Sequence, residues 1–251
     1  MDEQIPLLHE ASVHVFRVAL DVTSGTALPV LRGLLGRDEE ERAGRFHFER
    51  DRRRWIVCRM ALRTLLGAHL SVAPEALTFV AGDFGKPALG PPWSEAGIQF
   101  NVSHCGETAL IAVARGREVG IDVEAIRAEP DWESIADWCL SASERSMIRD
   151  TPPALRQQLF FRFWVGKEAW LKASGVGLQE SPSQTIVPAA LVRGDVPSVT
   201  VAPFLLYRLD ERLGGDDPAI AATLAVTAED AELLNVLLFT VDPEGILLRS
   251  W

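Results

Sequence analysis

Asp122 and Glu124 lie two residues apart in Val119-Gly120-Ile121-Asp122-Val123-Glu124, where apolar and acidic residues alternate. A strand over this segment turns both carboxylates to one face. Glu168 and Lys172 lie four apart in Phe163-Trp164-Val165-Gly166-Lys167-Glu168-Ala169-Trp170-Leu171-Lys172, one turn apart on one face of a helix. Three carboxylates from a strand and a helix suit a hard divalent cation, Mg²⁺ with Mn²⁺ as an alternative, because such ions take a few carboxylates together with phosphate oxygens and waters. Each pair also has a plainer reading. Glu168–Lys172 can be an i,i+4 surface pair worth about 0.2–0.5 kcal/mol, and Asp122 and Glu124 the wet side of an edge strand.

Lysine use favours the chemical reading. Lys86, Lys167 and Lys172 are the only lysines in a chain of 251 residues that otherwise uses arginine. A retained lysine suits a site that needs a compact ammonium, as a point charge or a proton donor. Positive charge is also localised. Residues 42–63 hold eight arginines, Arg42, Arg45 and Arg54 among them, against Glu49 and Asp51, in a protein whose net charge is −10. Such an island on an acidic molecule attracts a small polyanion with several phosphates better than a long nucleic acid; the alternative is a solvated helix face. Phe100-Asn101-Val102-Ser103-His104-Cys105-Gly106 runs from a strand into a turn and offers Ser103 and His104 as phosphate donors. A Cys–His hydrolytic dyad is the rival there, but adjacent residues tend to point apart and no orienting acid follows.

These residues need particular elements to bring them together. Residues 11–22 alternate as a strand, and 38–69 read as one helix opening on Asp38-Glu39-Glu40-Glu41. Leu77 to Ala81, Ile98 to Ser103, Thr108 to Ala114 and 119–125 read as strands separated by turn formers. Residues 131–149 read as a helix with Ser141 or Ser143 as an N-cap, 153–174 as a long helix ending near Gly175, and the chain from 184 onward as strands. Trp55, Arg59 and Arg63 repeat the spacing of Trp164, Glu168 and Lys172, and Gly67 and Gly175 follow in turn. This faint echo predicts two related lobes, although the spacing is common on amphipathic helices. The predicted fold class is α/β (α+β): a pseudo-twofold pair of similar lobes, 1–116 and 117–251, each a small, mainly antiparallel sheet packed on a long helix.

With 47% hydrophobic residues the chain can bury a full core. Its charge argues against nucleic acid and anionic membranes, and no apolar run approaches a membrane span. Met1-Asp2-Glu3-Gln4 does not open a signal peptide, and Cys58, Cys105 and Cys139 form neither a disulfide framework nor a metal spacing. The expectation is a reduced, cytoplasmic protein.

In order along the chain, Gly85-Lys86-Pro87, Phe100 to Gly106, Gly120 to Glu124, and Phe163 to Lys172 with Gly175 and Gly177-Leu178, resemble the motifs of 4′-phosphopantetheinyl transferases. Their order and spacing are similar to those of the long, two-lobed, surfactin-synthetase-activating (Sfp-like) branch, over roughly residues 38–180. The resemblance implies Mg²⁺-dependent transfer of phosphopantetheine from coenzyme A to a serine of an apo acyl, peptidyl or aryl carrier protein, with 3′,5′-ADP released. It implies that Asp122, Glu124 and Glu168 hold the metal, that Lys172 serves the leaving phosphate, and that Lys86, Ser103, His104, Arg42, Arg45 and Arg54 hold the nucleotide end. The base for the carrier serine stays open between Glu168 and a metal-bound water. Cys105 departs from the family, which commonly has serine after the histidine, and residues 184–251 carry no matching motif. Two covalent lobes imply a monomer. The alternatives are a catalytically silent coenzyme A-binding paralogue and a metal-dependent phosphohydrolase. The intact acidic residues and Lys172 speak against the first, and the lack of a water-activating histidine against the second.

Overall fold

Strand β1 (Ser12–Ala19) is apolar on both faces: Val13 and Val15 enter one core, Phe16 and Val18 another. Burial on both faces requires a layer on each side of the strand. In the computed structural model, which describes residues 5–21, 33–82, 84–177, 181–213, 220–229 and 234–241, those layers are a second sheet and a long helix.

The first sheet has the order β10-β1-β5-β4, with β4 at Ile98–Cys105, β5 at Thr108–Arg115 and β10 at Asn235–Val241. Helix α1 (Arg37–Gly44) leads into α2 (Glu49–Leu70), and Ile56, Met60 and Leu66 of α2 pack with Phe16, Phe100 and Ile111 of the sheet. A two-stranded hairpin, β2 (Phe79–Ala81) and β3 (Pro87–Leu89), stands beside it. The second sheet has the order β6-β9-β8-β7, with β6 at Val119–Ala125, β7 at Ser198–Val201, β8 at Phe204–Arg208 and β9 at Ile220–Thr227. Helices α3 (Trp132–Cys139), α4 (Ala142–Asp150) and α5 (Pro153–Ser174) follow β6, and Phe163 and Ala169 of α5 pack with Leu206 and Ala225. A third core joins the two sheets through Leu110 and Ala112 on one side and Ile121, Val123 and Leu224 on the other. The architecture is mixed α/β, layered helix–sheet–sheet–helix, and among the described residues the strand pairs are antiparallel except β1 with β10.

Several expected elements are divided or placed differently. The helix read over 38–69 breaks before Glu49, where Phe48 is extended (φ −101°, ψ 132°) and Phe46 turns onto the Trp55 ring. Glu49 and Asp51 then supply a second acidic first turn, the mark of a new helix start. The helix read over 131–149 breaks at Leu140, and Ser141 caps α4 through a capping box with Glu144. Among the described residues beyond 184, two short helices, α6 (Ala189–Arg193) and α7 (Asp210–Leu213), interrupt the strands. Strand β10 returns to the first sheet, Val13 lying beside Val236, so residues 117–251 do not form one spatial unit. The glycines of the internal echo also differ in role. Gly175 ends α5 with φ 69°, whereas Gly67 lies inside α2, which ends at Ser71 with φ 57°. Leu178 and residues 1–4 lie outside the described residues.

Gly120 sets how closely α5 approaches β6. A Cβ there would come 2.1 Å from the carbonyl oxygen of Ala169 and 2.3 Å from the amide nitrogen of Ala173. Both are backbone atoms of the helix and cannot yield as a side chain would. Gly120→Ala is therefore expected to destabilise the fold by about 3 kcal/mol, read as a lower urea midpoint, because overpacking against a fixed backbone lies at the costly end of such changes.

Candidate active site

The alternation that sends Val119, Ile121 and Val123 into the core between the sheets sends Gly120, Asp122 and Glu124 toward α5. Strands β4 and β6 meet where the sheets adjoin, and side chains of β4 take the amides of β6. The Ile121 N–H donates to Asn101 Oδ1 at 2.9 Å and the Val123 N–H to Ser103 Oγ at 3.4 Å. This junction brings residues from both halves of the chain onto one cavity of about 300 Å³, lined by Ser103, His104, Asp122, Glu124, Trp164, Glu168 and Lys172.

Lys172 is not the simple i,i+4 partner of Glu168. Its ammonium donates to Asp122 Oδ1 at 2.6 Å, to Ser103 Oγ at 3.1 Å and to the carbonyl of Ile121 at 3.4 Å. Ser103 in turn donates to Asp122 Oδ1 at 2.8 Å. Asp122 is 4% exposed, and its other oxygen, Oδ2, is buried without a hydrogen-bond partner. Burial pushes the Glu168 carboxyl above the usual carboxylate range, with the Asp122 charge adding to the shift and Lys172 opposing it. Burial and then Asp122 raise Glu124 likewise, while Arg127, Lys172 and the Trp164 indole pull it back. His104 is shifted down, first by burial and then by Lys172, so its neutral form is favoured.

Two carboxyls whose proton affinity burial and the Asp122 charge raise, beside an Asp122 oxygen that is buried and unpaired, have the donor chemistry of a hard-cation site. Among the described residues no group of three or more His, Cys, Asp or Glu side chains is arranged, as it stands, to hold a metal ion. Lys172 now holds the Asp122 oxygen that faces it.

A second cavity of about 390 Å³ shares His104 and Val102 with the first and is lined on its far side by Arg42, Trp55, Arg59, Phe79 and Pro87. Arg59 stacks over the Phe79 ring at 3.8 Å, and Arg42 lies 5.6 Å from the Trp55 ring centre. Glu39, itself held by Arg59 and Arg63, forms part of the same wall. Arg45 is exposed at the end of α1. Arg54 faces elsewhere, paired with Asp21 and Glu107 at 3.2 Å each.

Two of the three lysines have other work. Lys167 is fully buried and pairs with Glu144 at 2.8 Å, with the carbonyls of Pro182 and Thr185 completing its shell. The ammonium of Lys86 is spent on Glu118 and two backbone carbonyls. The turn before β3 points that ammonium at the second sheet, and the Lys86 side chain also lines a cavity of about 250 Å³ with Asn101, Glu168 and Lys172. Sequence reasoning passed over Asn101, which joins the sheets, and Trp164, which walls the acidic cavity. The position of Trp164 four residues before Glu168, on the same helix face, was the available signal.

Comparison with known proteins agrees with the geometry. Residues 118–221 match the model of the 4′-phosphopantetheinyl transferase superfamily, and residues 26–116 match that of the 4′-phosphopantetheinyl transferase N-terminal region. The chain is 41% identical over 166 residues to the 4′-phosphopantetheinyl transferase HetI of Nostoc sp., covering 66% of this chain and 70% of that protein. It is 35% identical over 124 residues to AcpT of Escherichia coli O157:H7, covering 49% of this chain and 58% of that protein. It is 28% identical over 141 residues to the 4′-phosphopantetheinyl transferase of Bacillus subtilis, covering 56% and 60%. The matched segments contain the acidic strand and the Glu168–Lys172 helix that form the cavity, and on these grounds the chain belongs to the 4′-phosphopantetheinyl transferase family.

Proposed function

We propose that this protein transfers the 4′-phosphopantetheine group of coenzyme A to a serine of an apo acyl, peptidyl or aryl carrier protein and releases 3′,5′-ADP, as a two-lobed, monomeric enzyme of the Sfp-like type. The observation that carries the reading is the convergence of Asp122, Glu124, Glu168 and Lys172, from two distant segments, on one cavity that shares Val102 and His104 with a second, cationic and aromatic one.

In this reading the larger cavity takes the nucleotide. Arg42 in its wall, and Arg45 at the end of α1, supply charge for its phosphates, His104 lines both cavities, and the Arg59–Phe79 stack walls the base. Arg54 is left out of the contact set because Asp21 and Glu107 already neutralise it. Asp122, Glu124 and Glu168 are the ligands for Mg²⁺, for which Asp122 Oδ2 has a free lone pair and whose charge would offset the burial and repulsion that raise Glu124 and Glu168. A divalent cation held by these three carboxylates would supply positive charge to the pyrophosphate.

Lys172, fixed by Ser103 and the Ile121 carbonyl, keeps an ammonium beside the same point for the departing phosphate. Glu168 lines the cavity with a carboxyl whose raised proton affinity suits a base for the serine hydroxyl. Among the described residues no helix is long and apolar enough to cross a membrane.

The test is to incubate the protein with coenzyme A, Mg²⁺ and a panel of apo acyl, peptidyl and aryl carrier proteins and to follow each by intact mass. A gain of one phosphopantetheine on any carrier is the expected result. Release of free phosphopantetheine with no carrier modified would instead favour a hydrolase, and no turnover of coenzyme A across the panel would favour a silent paralogue.

A further inference from the structure

Lys86 belongs to the motif Gly85-Lys86-Pro87, where a role on the nucleotide is the obvious assignment, yet the structure has already used its donors. A lysine ammonium has three N–H bonds and no acceptor. All three find partners: Glu118 Oε2 at 3.0 Å, the carbonyl of Val119 at 3.1 Å and the carbonyl of Ala173 at 3.3 Å. The side chain is 18% exposed.

The partners are of one kind. Ala173 lies in the last turn of α5, where carbonyls lack helical partners and the helix dipole is negative. Val119 opens β6, the strand that carries Asp122 and Glu124, and it precedes Gly120, where that helix and strand come closest. One cation thus binds a carboxylate and two carbonyl oxygens at the point where the two elements bearing the acidic residues and Lys172 converge. At its other end it is anchored in the hairpin β2–β3, whose Phe79 and Pro87 wall the second cavity.

We propose that Lys86 is a positioning residue, an ammonium latch that pins the β2–β3 turn to the junction of β6 with the C-terminal end of α5, and that it does not contact the phosphates of the donor. The latch holds the nucleotide wall, which comes from the first half of the chain, at a fixed distance from the carboxylates and Lys172 of the second. This rests on the transferase reading above for what the two cavities bind, but not for the latch itself.

The experiment uses the full chain with Lys86→Met, Glu118→Ala and the double variant. Hydrogen exchange followed by mass spectrometry, with no substrate present, reads the latch directly. Peptides covering 79–89 are expected to exchange faster in Lys86→Met than in the wild-type chain, while the sheet strands keep their protection. Equilibrium binding reads the ligand side. Lys86→Met is expected to weaken coenzyme A by roughly tenfold and 3′-dephospho-coenzyme A by the same factor, because a displaced wall does not distinguish them. Glu118→Ala alone is expected to give part of that loss, and the double variant to be no worse than Lys86→Met, the pattern of residues acting as one unit.

A Lys86→Met protein that loses its preference for coenzyme A over the dephospho form, or a Glu118→Ala protein that binds coenzyme A more tightly because a lysine has been released to it, would overturn the latch in favour of direct phosphate contact. Unchanged exchange over 79–89 with unchanged affinity would overturn it outright. If Lys86→Met fails to fold, Glu118→Ala carries the same exchange and affinity comparisons. Because exchange is read without substrate, its outcome separates the latch from the transferase reading, which stands or falls on carrier modification by the wild-type chain.

Discussion

Replacing Asp122 by Asn is expected to abolish transfer while the protein stays folded. Asn keeps the shape and one carbonyl oxygen to accept from Ser103 and Lys172, so the contacts that hold the β4–β6 junction survive in weakened form. What disappears is the charge on the one carboxylate of this cavity that is both deeply buried and left with an unpaired oxygen. If that oxygen is a metal ligand, its loss removes the cation's hold at the pyrophosphate. An electrostatic contribution of several kcal/mol translates into a fall of roughly a thousandfold or more in kcat. Direct binding separates this from a structural effect: Mn²⁺ titrated into the wild-type chain and followed by electron paramagnetic resonance should show one site that the Asn variant lacks. Transfer by Asp122→Asn at near wild-type rate, or full activity of the wild-type chain in excess chelator, would refute the metal assignment.

The second large effect is expected at Lys172. Had it been only the i,i+4 partner of Glu168, Lys172→Ala would cost at most about 0.5 kcal/mol of stability and leave catalysis alone. The structure raises the stakes, since Lys172 instead reaches across to Asp122, Ser103 and Ile121 at the edge of the cavity. An ammonium held there strengthens its interaction as negative charge develops on the departing phosphate. Lys172→Ala should therefore lower kcat by about two orders of magnitude or more, while the dissociation constant of coenzyme A changes far less. Lys172→Arg should recover only part of the rate, because a planar guanidinium does not fit a pocket shaped by three oxygens around a compact ammonium and does not give up a proton. Near-normal kcat in the Ala variant would reduce Lys172 to a structural tie.

The fold and the site were legible in the sequence to different depths. Period-two alternation over 119–125 and helical spacing over 163–172 placed Asp122, Glu124, Glu168 and Lys172 on the right elements and faces, and the structure brings all four to one cavity. Both signals are local, set by backbone geometry within a few residues, and so they survive without knowledge of the rest of the molecule. The same is true of Gly175, whose left-handed conformation ends α5 where the sequence says it should.

Where local signals compete, the boundaries shifted. A second acidic turn at Glu49 and the Ser141 capping box each split a stretch that periodicity alone reads as continuous.

What only the tertiary structure decided is which distant groups meet. No pattern in residues 235–241 tells that they pair with β1 in the first sheet and not with the second, because alternation gives a strand its faces but not its neighbour. Nor does the sequence distribute the lysines. All three stand in similar motif-like settings, yet one is buried against Glu144, one is spent on Glu118 and two carbonyls, and one reaches the acidic cavity. A lysine side chain is long and rotatable, and its ammonium goes to the oxygens that packing leaves unpaired. Those oxygens, the end of α5, the start of β6 and the buried face of Asp122, come together only once Gly120 has let the helix settle on the strand.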